Sequence, residues 1–292
     1  MATLRELRTR IKGIRNTQQV TKAMRMVAAA KLRRSQDRAI AARPYANALK
    51  KMLASIVAKI DVSEFSLLTP RPVTKRILAV VVAADRGLCG AFNANLLKMA
   101  RETFQGEYQE WAAKNNLLVM PVGRRSVDFF AKQPYPVVER FSGVFQKLEF
   151  ETAKAIADKA TALYASGEVD RVVLFYNEFK TVLAPQLRKE VFLPIEPPKT
   201  QPTLSGDYIF EPDPTEIIGQ LLPLYLANQI WRMLLESNAA EQAARMTAMD
   251  AASNNAKELL RILGITYNRV RQASITKEII EIISGADALQ NK

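Results

Sequence analysis

The chain has 292 residues, 48% of them hydrophobic and 24% charged, enough for one large or two medium folded domains with a substantial core. It contains no histidine and a single cysteine, Cys89. Neither a Ser-His-Asp nor a Cys-His nucleophile can be assembled from it, and no histidine-containing or multi-cysteine zinc site can form. A lone cysteine also excludes an intrachain disulfide and removes any argument for an oxidising compartment.

The net charge of +13 is localised. Residues 1–59 hold fifteen lysines and arginines against Glu6 and Asp37, so this segment accounts for the whole excess and the rest of the chain is balanced. Its charges run along its full length, unlike the basic, apolar and small-residue order of a secretion signal. Its periodicity also continues well past the length of an organellar targeting peptide. No stretch of 18 or more apolar residues is present.

Alternate steps of three and four from Leu4 reach Leu7, Ile11, Ile14, Gln18, Thr21, Arg25, Ala28, Leu32, Ser35, Ala39, Ala42, Ala46, Leu49, Leu53, Ile56 and Ile60. This mostly apolar stripe, sustained over about eight heptads, predicts a coiled-coil helix over residues 1–60. A local bend is expected at Pro44, the one internal proline.

The middle of the chain changes character. Residues 76–84, 117–122 and 171–176 are short apolar runs without alternation, which predicts buried strands. Helical stretches fall between them, at about residues 91–104, 126–132 and 148–166. Strands alternating with helices give a mostly parallel, Rossmann-like α/β domain over residues 75–208.

After the proline-rich stretch of residues 194–214 a second stripe runs from Ile218 through Leu221, Tyr225, Leu235, Ala239, Met249, Ala256, Leu260 and Tyr267 to Ser274. It predicts a second coiled-coil helix of some 65 residues within 209–292, roughly 100 Å long at 1.5 Å per residue, weakened locally at Gly264. Neither long helix can bury its stripe alone, so the two are expected to pair antiparallel, with the α/β domain inserted between them.

The turn at residues 84–93 follows the first strand and precedes a helix, where a phosphate-binding glycine loop would lie. It lacks the third glycine of a dinucleotide fingerprint and the Gly-Lys-Ser/Thr of a phosphate loop, so it reads as a tight strand-to-helix connection. Cys89 reads as a small buried residue rather than an activated thiol. The basic first helix has two readings. A nucleic-acid surface would need the electrostatic footprint that it has and, for single strands, aromatic interleaving that it lacks, because Tyr45 is its only aromatic. An acidic protein surface suits it better, and a basic coiled-coil nucleic-acid-binding or scaffold protein stands as the alternative.

Four segments carry a resemblance. LRTRIKGIRNTQQVTKAMRMVAAAKLRR at 7–34, DRGLCGAFN at 85–93, EQAARM at 241–246 and RQASIT at 271–276 closely resemble the gamma subunits of F-type ATP synthases, in order and over nearly the whole chain. The resemblance implies a non-catalytic central rotor shaft, one copy per complex. It would stand inside a ring of alternating alpha and beta subunits, with an α/β foot that binds an epsilon subunit and rests on a membrane c-ring. Torque would then couple proton flow to ATP synthesis or hydrolysis at sites held by the partners, which bind the ATP, ADP and Mg; this chain would bind no cofactor. By the same resemblance Lys22, Met24, Arg25, Lys31, Arg33 and Arg34 would face an acidic loop of beta. Arg245, Arg271, Gln272, Thr276 and Glu278 would meet the catch and bearing surfaces of the hexamer, and Tyr208 and Glu211 would lie at the c-ring. Having only Cys89, and little room for an insertion between residues 179 and 207, the chain lacks the redox segment of chloroplast relatives. It is therefore expected to be a bacterial type, held peripherally at the cytoplasmic face of the inner membrane through the c-ring and not secreted.

Overall fold

The computed structural model describes residues 3–58, 60–61, 65–181, 185–195 and 213–290. The elements run α1 (Leu4–Val57), β1 (Ile77–Val82), α2 (Phe92–Gln105), α3 (Gln109–Ala113), β2 (Leu117–Val122), α4 (Arg124–Phe130), α5 (Phe150–Ala165), β3 (Arg171–Glu178), β4 (Gln186–Leu193) and α6 (Pro214–Gln290). Two compact units result, one made of residues 28–245 and the other of residues 1–27 with 246–292.

In the larger unit the sheet has the order β2-β1-β3-β4. β1 pairs parallel with β2 and β3, and β4 returns antiparallel along β3. The absence of alternation in β1 has a simple cause, since both faces of the sheet are covered. Ile77, Ala79 and Val81 pack with Leu96, Ala100, Phe104 and Phe130 of α2 and α4. Leu78, Val80 and Val82 pack with Ile156 and Ala160 of α5, Leu49, Leu53 and Ile56 of α1, and Leu222, Ile230 and Leu234 of α6. The long helices are therefore not merely attached to the α/β layer here: the α1 stripe forms part of its core, and so do Ile218, Leu221 and Tyr225 of the α6 stripe together with the off-stripe Leu222, Ile230 and Leu234.

β4 carries no clear strand signal. Arg188, Lys189 and Glu190 interrupt its pattern, a feature of strands at a sheet edge, where charge discourages further pairing. Its side chains are held by the neighbouring strand, with Arg188 Nε 2.6 Å from Glu178 and the Tyr176 hydroxyl donating to Glu190 at 2.9 Å.

The smaller unit consists of two antiparallel helical segments. Arg8 Nε donates to the Tyr267 hydroxyl at 2.9 Å, its guanidinium lying 5.6 Å from the centre of that ring. Arg25 pairs with Asp250 at 3.4 Å. Moving seventeen residues up α1 therefore moves seventeen down α6. Every stripe position of this unit, from Leu4 to Arg25 and from Met246 to Val270, is buried or half-buried.

Several expectations shift in detail. α6 has 77 residues rather than some 65, chiefly because it continues beyond the stripe's last position, Ser274, to Gln290; at its start Pro214 opens the helix where its missing N–H costs nothing and Asp213 accepts from the Thr215 N–H at 3.0 Å. α1 is helical through Pro44. α4 starts two residues early and α5 two residues late, and α3 was not anticipated.

Candidate functional site

The surface of the smaller unit has two features. Lys22 is exposed and Met24 and Arg25 half-buried, with Arg5, Arg8, Arg10, Lys12 and Arg15 also on the exposed side of α1. The heptad stripe turns the apolar positions inward and leaves cations outside, with Glu6 the only acid in this part of α1. At the other end α1 begins at Leu4, so by the register above α6 has no α1 residue opposite it beyond about residue 271. Arg271, Gln272, Thr276 and Glu278 are exposed there, Thr276 Oγ1 bonding back to the Gln272 carbonyl at 2.9 Å. Exposed with them are Ile275, Ile279, Ile280, Ile282 and Ile283, the fourth at 71%. Exposed apolar clusters of this kind are a feature of interaction surfaces. The heptad reading missed these isoleucines because they fall off the stripe, but their density over nine residues was a visible signal.

In the larger unit Lys31, Arg33 and Arg34 are exposed on α1. Arg245 is placed differently. Its side chain is only 12% exposed, ion-paired to the buried Glu241 one turn earlier, and it donates to the Gly87 carbonyl at 2.5 Å. Burial pushes the Glu241 carboxyl above the ordinary range in spite of Arg245 beside it. Tyr208 and Glu211 lie outside the described residues.

The turn that receives Arg245 is filled from within. Asn93 accepts from the Ala84 N–H at 2.9 Å and donates to the Arg86 carbonyl at 3.3 Å and to Cys89 Sγ at 3.2 Å. Asp85 accepts from the N–H groups of Arg124, Gly143 and Phe145 at 2.7–2.9 Å. The Asp85 carboxylate thus ties the turn to the start of α4 and to the segment at residues 143–145, and the connection is a structural turn. Gly123, at φ +85°, lies so close that a Cβ would stand 1.8 Å from the Ala83 carbonyl oxygen. Burial also pushes the Cys89 thiol up, the opposite of activation.

A groove of about 760 Å³ lies between β4, α1 and α6. Arg43, Lys50, Lys189 and Arg232 line it together with Glu190 and Glu236, so its charges are largely answered within the chain. Burial raises the Glu236 carboxyl, with Arg232 and Arg43 opposing. Among the described residues no group of three or more acidic or cysteine side chains could hold a metal ion, and no helix is long and apolar enough to cross a membrane.

Cationic helix faces, an exposed apolar helix end and a filled turn define the class: two long helices that flank an α/β layer in sequence. The ATP synthase family model matches residues 3–289. The chain is 56% identical over 291 residues to the ATP synthase gamma chain of Chlorobaculum tepidum, covering 99% of this chain and all of the relative. It is 57% identical over 293 residues to that of Chlorobium luteolum, covering the whole of both. Among solved structures it resembles the central stalk and c-ring of the Tetrahymena thermophila mitochondrial ATP synthase, at TM-score 0.61, 26% identity, and coverage of 80% of this chain and 99% of the other. A Euglena gracilis mitochondrial ATP synthase chain, at TM-score 0.70 and 18% identity over 98% of this chain and 94% of that one, shares the fold. The chain belongs to the ATP synthase gamma-chain family, and its role is that of a non-catalytic central-stalk subunit.

Proposed function

We propose that the chain turns inside a hexamer of alpha and beta subunits and carries torque between that hexamer and a membrane c-ring. Each orientation of an asymmetric shaft makes different contacts with each catalytic site, and only such differential contacts can shift a site between nucleotide affinities. The observation that carries this reading is the smaller unit itself. It is a pair of helices with cations outside and a single-helix end bearing five exposed isoleucines, a surface suited to a partner that encloses it.

Within this reading Lys22, Arg25, Lys31, Arg33 and Arg34, with Met24 among them, face acidic loops of beta. Arg271, Gln272, Thr276 and Glu278 supply hydrogen-bonding contacts around the isoleucine end, where the hexamer acts as a bearing. Arg245, using two of its five N–H donors within the chain, has others left for a hexamer contact. Tyr208 and Glu211 belong to the c-ring end, with an epsilon subunit on the same foot. ATP, ADP and Mg are held by alpha and beta. The complex stands on the cytoplasmic face of a bacterial inner membrane, which this chain touches only through the c-ring.

The test is reconstitution. Mixed with purified alpha and beta subunits, the chain is expected to form a stable complex and to restore coupled ATP hydrolysis; failure to form one would sink the reading. Replacing Lys22, Arg25, Lys31, Arg33 and Arg34 by glutamine should weaken assembly or coupling while the isolated chain folds as before. A nucleic-acid role would instead show tight duplex binding that falls steeply with salt, with a log-log slope of about −0.9 per phosphate contact.

A further inference from the structure

The buried ion pair on α6 is not needed to hold that helix to the α/β layer, because Leu222, Leu226, Ile230 and Leu234 already do so through apolar packing. Its position is specific in another way. The larger unit ends at Arg245, so the pair lies at the last turn of α6 within that unit. There Arg245 reaches the Gly87 carbonyl, and Glu241, 4% exposed, fixes the guanidinium from the same helix face. On its other side Gly87 faces the end of the exposed Arg125 side chain, 2.8 Å from where a Cβ would stand. The charges of Lys31 on α1 and Asp85 in the turn act on Glu241 in opposite directions, Lys31 favouring its ionised form and Asp85 opposing it. Beneath it Ala240, Ala244, Ala84, Cys89 and Phe92 make a small apolar contact of their own.

Apolar packing resists separation but permits sliding and small rotations, because it has no direction. A charge-assisted hydrogen bond to a main-chain carbonyl does have direction. The carbonyl is also fixed, through Asn93 to the start of α2 and through Asp85 to the N–H groups of α4 and of residues 143 and 145. We propose that Glu241 and Arg245 form a clamp that locks α6 against rotation relative to the turn at residues 85–90, and that they are positioning residues for torque transfer between the helix and the α/β layer. This rests on the rotor reading above and adds to it the point at which twist passes from one part of the larger unit to another.

The experiment uses the assembled membrane complex carrying wild-type chain, Arg245→Ala, Arg245→Lys or Glu241→Gln. ATP hydrolysis and ATP-driven proton pumping are measured on the same preparation, with amide hydrogen exchange over residues 86–92. Arg245→Ala should lower pumping per ATP hydrolysed by about fivefold, in the range of coupling changes seen along packed networks, and should speed exchange in the turn. Glu241→Gln, whose amide oxygen still accepts from Arg245, should stay near wild type on both readouts. Arg245→Lys keeps the charge but loses the planar fork and should fall between. If Arg245→Ala fails to assemble, Arg245→Lys decides by the same ratio. Pumping per ATP unchanged in the deciding variant, or turn exchange unchanged in it, overturns the clamp. A wild-type chain that assembles but does not couple overturns the rotor reading instead.

Discussion

The two compact units are built from the same two helices under opposite physical conditions. In residues 28–245 the apolar faces of α1 and α6 close onto a sheet, and Leu53, Ile56 and Ile218 of the stripes, with Ile230 beside them, are at most 1% exposed. In residues 1–27 and 246–292 the same stripe periodicity meets only the other helix. Positions that would be core become half-buried, and Val20, Met26, Ile262 and Ile265 stand about half exposed. Heptad patterning is thus compatible with a closed core and with a thin two-layer shaft; what differs is whether a third layer covers the outer faces. The first unit buries its apolar side chains within itself, whereas the second leaves apolar surface exposed.

Substitutions should separate the units by size of effect. The largest is expected from Phe104→Ala, which removes a fully buried ring packed against Phe130, Tyr135 and Phe175 at 5.2–5.9 Å. A loss of about 4 kcal/mol in denaturant unfolding is expected; a loss under about 1 kcal/mol would mean that the larger unit does not depend on its own core.

Next comes an asymmetry at the buried ion pair. Arg245→Ala strands an ionised carboxylate and should cost about 3 kcal/mol, whereas Glu241→Gln removes a charge that burial already disfavours and should cost far less. Equal costs would place the stabilisation in the charge pair rather than in the bond to Gly87.

Asp170 gives the larger unit a pH dependence. Burial alone would raise its carboxyl, but the Arg71 guanidinium at 2.8 Å and the N–H groups of Arg76 and Lys75 outweigh it and hold the group below its ordinary value of 3.8. With the folded-state value below the unfolded one, the contribution is present at neutral pH and is lost as pH falls through the acid range. Asp170→Asn should cost about 2 kcal/mol at neutral pH and flatten the acid limb of the stability curve. An unchanged limb would remove Asp170 from that account.

The smallest effects belong to the shaft. Arg25→Ala breaks a pair whose side chains are 43% and 52% exposed, and the isolated chain should lose no more than about 0.5 kcal/mol. Replacing Ile279, Ile280, Ile282 and Ile283 with serine should leave thermal unfolding of the isolated chain unchanged and weaken its binding to an alpha/beta hexamer, measured by co-sedimentation. Undiminished binding would break the contrast between a self-sufficient unit and a partner-dependent one.

Much of this was legible in advance. Both stripes were readable position by position because a heptad repeat is a local rule, and a seam residue is chosen for its spacing before any partner is known. The β1, β2 and β3 runs were legible because strands covered on both faces need apolar residues throughout. β4 was not, since an edge strand tolerates charge on its open side and Arg188, Lys189 and Glu190 hide its pattern. Arg245 was picked out by its motif, but its bond to Gly87, 158 positions away, left no local trace.

The sequence by itself determined the helix faces, the localisation of the +13 excess on one segment and the exclusion of histidine-dependent chemistry, all of which follow from residue type and spacing. Only the tertiary structure decided which stretches of the two helices enter a core and which remain a two-helix shaft, and that Arg245 bonds to the turn of the α/β layer. Those outcomes depend on which distant segments meet, and burial and hydrogen-bond partners exist only after they have met.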